Sequence, residues 1–166
     1  KQPRTSLGFI DRFLVTAEAY SIPASVIFNK KDLLDEEERE YVEALMTLYR
    51  SLGYSCWLIS TEDTRDVEVI KAEMKGKVNL LAGHSGVGKS TLINMLDANL
   101  ELKTGNISKV HSKGMHTTTF TEMHELSNGG WIIDTPGIKE FGIVHVERHE
   151  LSHFFPEMTN LLGKCK

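Results

Sequence analysis

Gly83-His84-Ser85-Gly86-Val87-Gly88-Lys89-Ser90 has the spacing of a phosphate-binding loop, G-x-x-x-x-G-K-S. Glycines at this spacing let backbone N–H groups close around an anion, and a following helix adds positive potential from its N-terminus. Lys89 would reach the β- and γ-phosphates, the Ser90 hydroxyl suits Mg²⁺, and Thr91 continues the first helical turn beneath them. The apolar run Val78 to Ala82 before the loop, and Leu92, Ile93 and Leu96 after it, supply the strand and helix that the loop needs. This motif fits a nucleoside triphosphate and leaves the base open.

Asn29-Lys30-Lys31-Asp32 addresses the base. Guanine offers N1–H and N2–H₂ as donors, and one carboxylate, Asp32, can accept from both; adenine has no such pair. Asn29 can bridge the N7/O6 side and hold the loop, while the alkyl stem of Lys30 can lie over the ring. Ser60-Thr61, at the end of the next apolar run, resembles a short loop whose backbone N–H meets guanine O6. If Asn29 and Asp32 were accidental, the chain would be a P-loop ATPase or kinase.

Asp134-Thr135-Pro136-Gly137 follows Trp131-Ile132-Ile133, where a second metal-side carboxylate is required. Asp134 would hold Mg²⁺ through a water, and the Gly137 N–H would sense the γ-phosphate. A threonine of Lys113 to Thr119 would complete the Mg²⁺ shell; Thr118 is the first choice, with Thr117 and Thr119 beside it. Ile138 follows Gly137, and the only glutamine is Gln2, so no glutamine stands after that turn to orient an attacking water. Hydrolysis then falls to His116 or to a group brought by a partner. Low intrinsic turnover accelerated by a partner is expected, and a GTP-dependent binding module without hydrolysis is the other reading.

The elements that must carry these loops can be read from periodicity. Leu7, Ile10, Leu14, Val15 and Ala17 suit an amphipathic helix stopped before Pro23. Ser25 to Phe28 is a short strand leading into Asn29. Asp35 can cap a helix with an acidic first turn, running to about Leu52 and ended by Gly53. Ser55 to Ile59 reads as a strand, about Asp66 to Lys75 as a helix, and Val78 to Ala82 as a strand. Phe120 to Leu126 and Trp131 to Ile133 pair around Asn128-Gly129-Gly130. Leu100 to Thr119, rich in Gly, Lys and Thr, reads as a loop. The alternation predicts an α/β P-loop NTPase domain with a mostly parallel sheet and helices on both faces, the hairpin adding an antiparallel edge.

The base loop precedes the phosphate loop, the reverse of a Ras-like G domain, which points to a circularly permuted GTPase. With Gly114-Met115-His116-Thr117-Thr118-Thr119 and Asp134-Thr135-Pro136-Gly137 in this order, the chain resembles the ribosome small-subunit-dependent GTPase A family along nearly its whole length. Phe9 to Leu14 and Ile138 to Gly142 add to the match. Met115 stands where the family usually has arginine, while His116 is retained. The resemblance implies binding and hydrolysis of GTP to GDP with Mg²⁺, action late in 30S subunit maturation, and turnover stimulated by that subunit. It implies a permuted G domain over residues 1–150 and the start of a C-terminal zinc-binding extension over 151–166, with Cys165 as its first Zn²⁺ ligand. An N-terminal OB-fold and a strand expected before Lys1 lie outside this sequence. Contacts with the 30S subunit and 16S rRNA are expected mainly through the parts not present. Gly137, close to the C-terminal boundary, would pull directly on a following domain.

With 166 residues, 40% hydrophobic and 25% charged, the chain fits one soluble domain, expected to be monomeric. It carries no run long enough to span a membrane, and two cysteines, Cys56 and Cys165, fit a reducing cytoplasm. A net charge of −4 argues against a nucleic-acid grip over the whole surface. His145, His149 and His153 recur every fourth residue but have no acidic or cysteine partner to close a metal site, and an exposed helix face is expected. Cys56 reads as a small core residue.

Overall fold

The computed structural model describes residues 5–100, 121–135, 142–143, 146–161 and 164. Chain contacts group into two compact units: Asn29–Leu34 with Leu58–Lys139, and Thr5–Phe28 with Asp35–Trp57 and Glu140–Lys166.

The second of these is built on two helices. Helix α1 (Leu7–Ala19) starts at Ser6, whose hydroxyl accepts from the Phe9 N–H at 3.3 Å, and buries Phe9, Leu14, Val15 and Ala17. Helix α2 (Glu36–Ser51) begins with a reciprocal capping box: Asp35 accepts from the Glu38 N–H at 2.9 Å, and Glu38 accepts from the Asp35 N–H at 3.2 Å. Three glutamates in its first turn and Arg50 in its last suit the helix dipole. Strand β1 (Ser25–Phe28) pairs with strand β2 (Ser55–Leu58). Two buried tyrosines join α1 to the segments after it. Tyr49 donates its hydroxyl to Asp11 at 2.9 Å, and Tyr54 donates to Glu18 at 3.0 Å. Burial and these carboxylate partners push both phenols well above the usual tyrosine range. A 3-10 turn (Leu151–Phe154) packs on α1 and leads into the short helix α5 (Pro156–Thr159). His149 lies in a turn and His153 in that 3-10 turn, so these two do not share the helix face expected from their spacing.

The unit that carries the loops is a three-stranded sheet with helices α3 (Thr64–Met74) and α4 (Lys89–Leu96) packed together. Strand β5 (Gly130–Asp134) lies between β3 (Val78–Leu81), to which it is parallel, and β4 (Glu122–Leu126), to which it is antiparallel. The register sets Leu81 beside Asp134, so the strand feeding the phosphate loop and the strand bearing the acidic residue end together. Val67, Ile70, Met74, Leu92, Ile93, Leu96, Leu126 and Ile132 form the core. Asp97, at the C-terminal end of α4, accepts from the N–H groups of Ser127 at 2.6 Å and Asn99 at 3.0 Å. Those bonds hold its carboxyl below the usual range.

The antiparallel edge is where the hairpin pattern put it. The described strands form a two-stranded sheet, β1 with β2, and a three-stranded sheet in which β3 and β5 are parallel, as the alternation of elements predicts. Periodicity identifies a strand from its own residues; which strand it pairs with is decided by tertiary contacts that no window of sequence contains.

Candidate functional site

Val78–Leu81 delivers the chain into the phosphate loop, and Gly88 turns it into α4. Gly88 has φ +103°, a left-handed backbone that L side chains rarely adopt, and a Cβ there would collide with the Asn29 side-chain amide. Glycine is therefore required twice over at this position. Lys89 folds back along the loop, its ammonium donating to the carbonyls of Gly83 at 2.8 Å and His84 at 3.0 Å. Two of its three donors are thus occupied in holding the loop. Burial pushes the Lys89 ammonium below its ordinary value, and the nearby Asp134 carboxylate partly offsets this. His84 to Val87 close the loop's turn, with the Val87 N–H on the His84 carbonyl at 3.4 Å. Ser90 and Thr91 occupy the first turn of α4.

Asp134 is 1% exposed, at the end of β5, and the next residue, Thr135, donates its hydroxyl to the Leu81 carbonyl at 2.8 Å. A hydroxyl at Ser90 and a buried carboxylate at Asp134 are hard oxygen donors. This is the kind of small protein donor set with which Mg²⁺ is held when substrate phosphates and water fill the other positions. Among the described residues no cluster of three His, Cys, Asp or Glu side chains forms a self-sufficient metal cage.

The base loop is formed by an unusual backbone step. Lys30 is left-handed at φ 69°, ψ 39°, and opens a 3-10 turn (Lys31–Leu33) that carries Asp32. Asn29 supports this step, its side-chain oxygen accepting from the Lys30 N–H at 2.8 Å. Its amide nitrogen donates to the Val87 carbonyl at 3.0 Å, fastening the base loop to the phosphate loop. Lys30 adds a second tie, its ammonium on the Gly86 carbonyl at 2.7 Å. Burial pushes that ammonium down in pKa, with Asp32 acting the other way.

A further loop meets the base loop from the end of β2. The Lys31 N–H donates to the Ile59 carbonyl at 2.9 Å, and the Ser60 hydroxyl donates to Asp32 at 2.5 Å. Ser60 was expected to offer its backbone N–H toward the ring, but that N–H donates to Asp66 at 2.8 Å. Thr61 is the next residue along the same turn. Lys31, expected to help hold the base, has its ammonium against Asp66 at 2.5 Å and Asp63 at 4.0 Å.

Asn29, Lys30, Asp32, Ser60, the phosphate loop and Asp134 are thus assembled in one unit. His116, Thr118 with its neighbours Thr117 and Thr119, Gly137 and Cys165 lie outside the described residues. Asp63 and Asp66, which take up Lys31, were not singled out in the sequence. Their role as acceptors near a helix start was legible from Asp63 preceding the α3 pattern; the pairing with Lys31 was not.

A family model described as RsgA GTPase matches residues 1–144. The small ribosomal subunit biogenesis GTPase RsgA of Bacteroides fragilis is 53% identical over 164 residues, covering 99% of this chain and 53% of that protein. Small ribosomal subunit biogenesis GTPase RsgA 2 of Bacteroides thetaiotaomicron is 50% identical over the same shares of both chains. Among solved structures, YjeQ from Thermotoga maritima superposes with a TM-score of 0.77 at 36% identity, over 95% of this chain and 51% of its own. YloQ, described as a circularly permuted GTPase, gives a TM-score of 0.74 at 27% identity, over 99% of this chain and 51% of its own. The chain spans about half the length of these relatives. On the breadth of the family match, and on a P-loop fold with its base loop ahead of its phosphate loop, the chain belongs to the RsgA GTPase family.

Proposed function

We propose that this chain is the guanine-nucleotide-binding and GTP-hydrolysing part of a factor acting in maturation of the small ribosomal subunit. The observation that carries the reading is the Asn29 amide on the Val87 carbonyl, which joins a guanine-type loop to a phosphate loop despite their inverted order.

Asp32 accepts from N1–H and N2–H₂ of guanine, Asn29 serves the N7/O6 side, and the Lys30 stem covers the ring. With the Ser60 N–H already engaged, the Thr61 N–H is the donor for O6. The amides of Gly83 to Ser90 surround the phosphates, and Lys89 directs its remaining donor at the β,γ bridge. Ser90, Thr118 and, through a water, Asp134 would hold Mg²⁺, which would supply charge neutralisation on the phosphates. Water attacks the γ-phosphorus in line, the bond to the β-phosphate oxygen breaks, and GDP and phosphate leave. His116 orients that water, and the Gly137 N–H contacts the γ-phosphate. Residues 1–150 form the permuted G domain, and Cys165, within 151–166, begins a zinc-binding extension. The 30S subunit and its 16S rRNA are the partners of the longer, monomeric, cytoplasmic protein, largely through domains outside this sequence. Support for that partner comes from the relatives, which are named as small ribosomal subunit biogenesis GTPases. None of the described helices is long and apolar enough to cross a membrane, and no membrane partner is proposed.

Single-turnover phosphate release from GTP and from ATP, with Mg²⁺ and with or without small subunits, tests this. The expected result is slow release from GTP alone, rising at least about tenfold with subunits, and none from ATP. Equal release from both nucleotides, or GTP left intact in both conditions, contradicts it.

A further inference from the structure

Lys31 and Asp32 are neighbours whose side chains are held by different groups. Asp32 receives the Ser60 hydroxyl at 2.5 Å, while the Lys31 ammonium lies against Asp66, also at 2.5 Å. One carboxylate oxygen of Asp66 serves both loops, because the atom facing Lys31 also accepts the Ser60 N–H at 2.8 Å. With the Lys31 N–H on the Ile59 carbonyl, residues 29–32 and 59–61 are joined directly at two points and a third time through Asp66. Lys31 is 28% and Asp66 19% exposed by side chain, so the pair is shielded from solvent more than a surface ion pair.

The chemistry of Asp32 makes this linkage matter. An ionised carboxylate has about four lone-pair sites, and the Ser60 hydroxyl takes one of them. The direction in which the others face depends on where Ser60 is held. Ser60 is held through its N–H by Asp66, and Asp66 is held by Lys31.

We propose that Asp66, paired with Lys31, is a positioning residue for base recognition, aiming the Asp32 carboxylate through Ser60. This deepens the guanine reading and rests on it. Asp66 touches no part of the base. Its effect is confined to the donors Asp32 can receive, so it governs discrimination among purines more than grip on phosphates. Inosine isolates the point: it keeps O6 and N1–H of guanine and lacks only the N2 amine.

The test is binding of GDP, IDP and ADP by the full chain and by Asp66→Asn, Asp66→Ala and Lys31→Met. Asp66→Ala is expected to lower the GDP-over-IDP preference about tenfold, with IDP affinity falling less than GDP affinity because IDP gives Asp32 only its N1–H. Asp66→Asn keeps an acceptor for the Ser60 N–H and loses the charge facing Lys31, so a fall of about threefold is expected. Asp66 also lies in the first turn of α3, where its charge favours the helix. Lys31→Met removes the same link without altering that helix, and should lower the preference as Asp66→Asn does. A preference unchanged in all three variants overturns the proposal. Affinities for GDP and IDP that fall in step overturn it as well, since that is what loss of structure alone would give. Equal binding of GDP and ADP by the unmutated chain overturns the guanine reading itself, and this inference with it.

Discussion

Asp32 is held by a hydroxyl from 28 residues away in the chain, whereas Lys89 is held by carbonyls five and six residues before it. Two loops proposed to serve one ligand are therefore stabilised at different ranges. The phosphate loop is a local object, made by glycine backbone, a helix start and a lysine folded back on its own segment. The base loop has a local bond at Asn29 and Lys30 but is fastened mainly by contacts with distant segments: Val87, Gly86, Ile59 and Ser60. Circular permutation changes which segment comes first and leaves such contacts intact, because a hydrogen bond depends on position in space and not on chain order. That is why a permuted chain can keep its base loop beside its phosphate loop.

Gly88 is the residue where the local and the distant constructions meet. Gly88→Ala puts a Cβ into the Asn29 amide and imposes a left-handed backbone that costs roughly 1–2 kcal/mol at a non-glycine residue. Both loops are disturbed together, and GDP affinity measured by calorimetry should fall at least about 100-fold. A change within about threefold would mean that the two loops do not depend on each other.

Asp97 bonds to the hairpin turn at the opposite end of α4 from the phosphate loop. Backbone N–H groups hold its carboxyl below the ordinary range when folded. The stabilisation it gives is complete above about pH 4 and is lost as pH falls through the folded value. Asp97→Asn should lower stability at pH 7 by about 1 kcal/mol and flatten the acid limb. Urea midpoints taken from pH 7 to pH 3 would show this, and parallel profiles for the two proteins would refute it.

Smaller still is the effect expected in the other unit. Tyr49→Phe removes the hydroxyl bonded to Asp11 and should cost about 1 kcal/mol or less in urea unfolding, because the ring stays buried. GDP affinity should remain within about twofold. A larger loss of binding would mean that the site draws on α1 as much as on its own loops.

The same division explains what was legible in the sequence. Helix α2 was readable because its start signals, Asp35 and the glutamates after it, are local, and the capping box forms between residues three apart. The phosphate loop was readable for the same reason. Helix α3 begins at Thr64 rather than near Asp66 because Asp63 caps it, a signal that the apolar period alone does not carry. The residue types at Asn29, Asp32 and Ser60 suggested a base site, but the Ser60 N–H bonded to Asp66 and the Lys31–Asp66 pair could not be read from them. Those contacts join positions 35 and fewer residues apart through a fold, and no motif spells them.

Asp32 is proposed to read guanine from a loop fastened to the phosphate loop. Binding of GDP and xanthosine diphosphate to the chain and to Asp32→Asn tests it most directly. Xanthine has a carbonyl where guanine has the N2 amine, and an asparagine amide can donate to it where a carboxylate cannot. Asp32→Asn is expected to lose about 100-fold in GDP affinity and to gain in xanthosine diphosphate affinity, with phosphate contacts unchanged. GDP affinity unaffected by the substitution would contradict it.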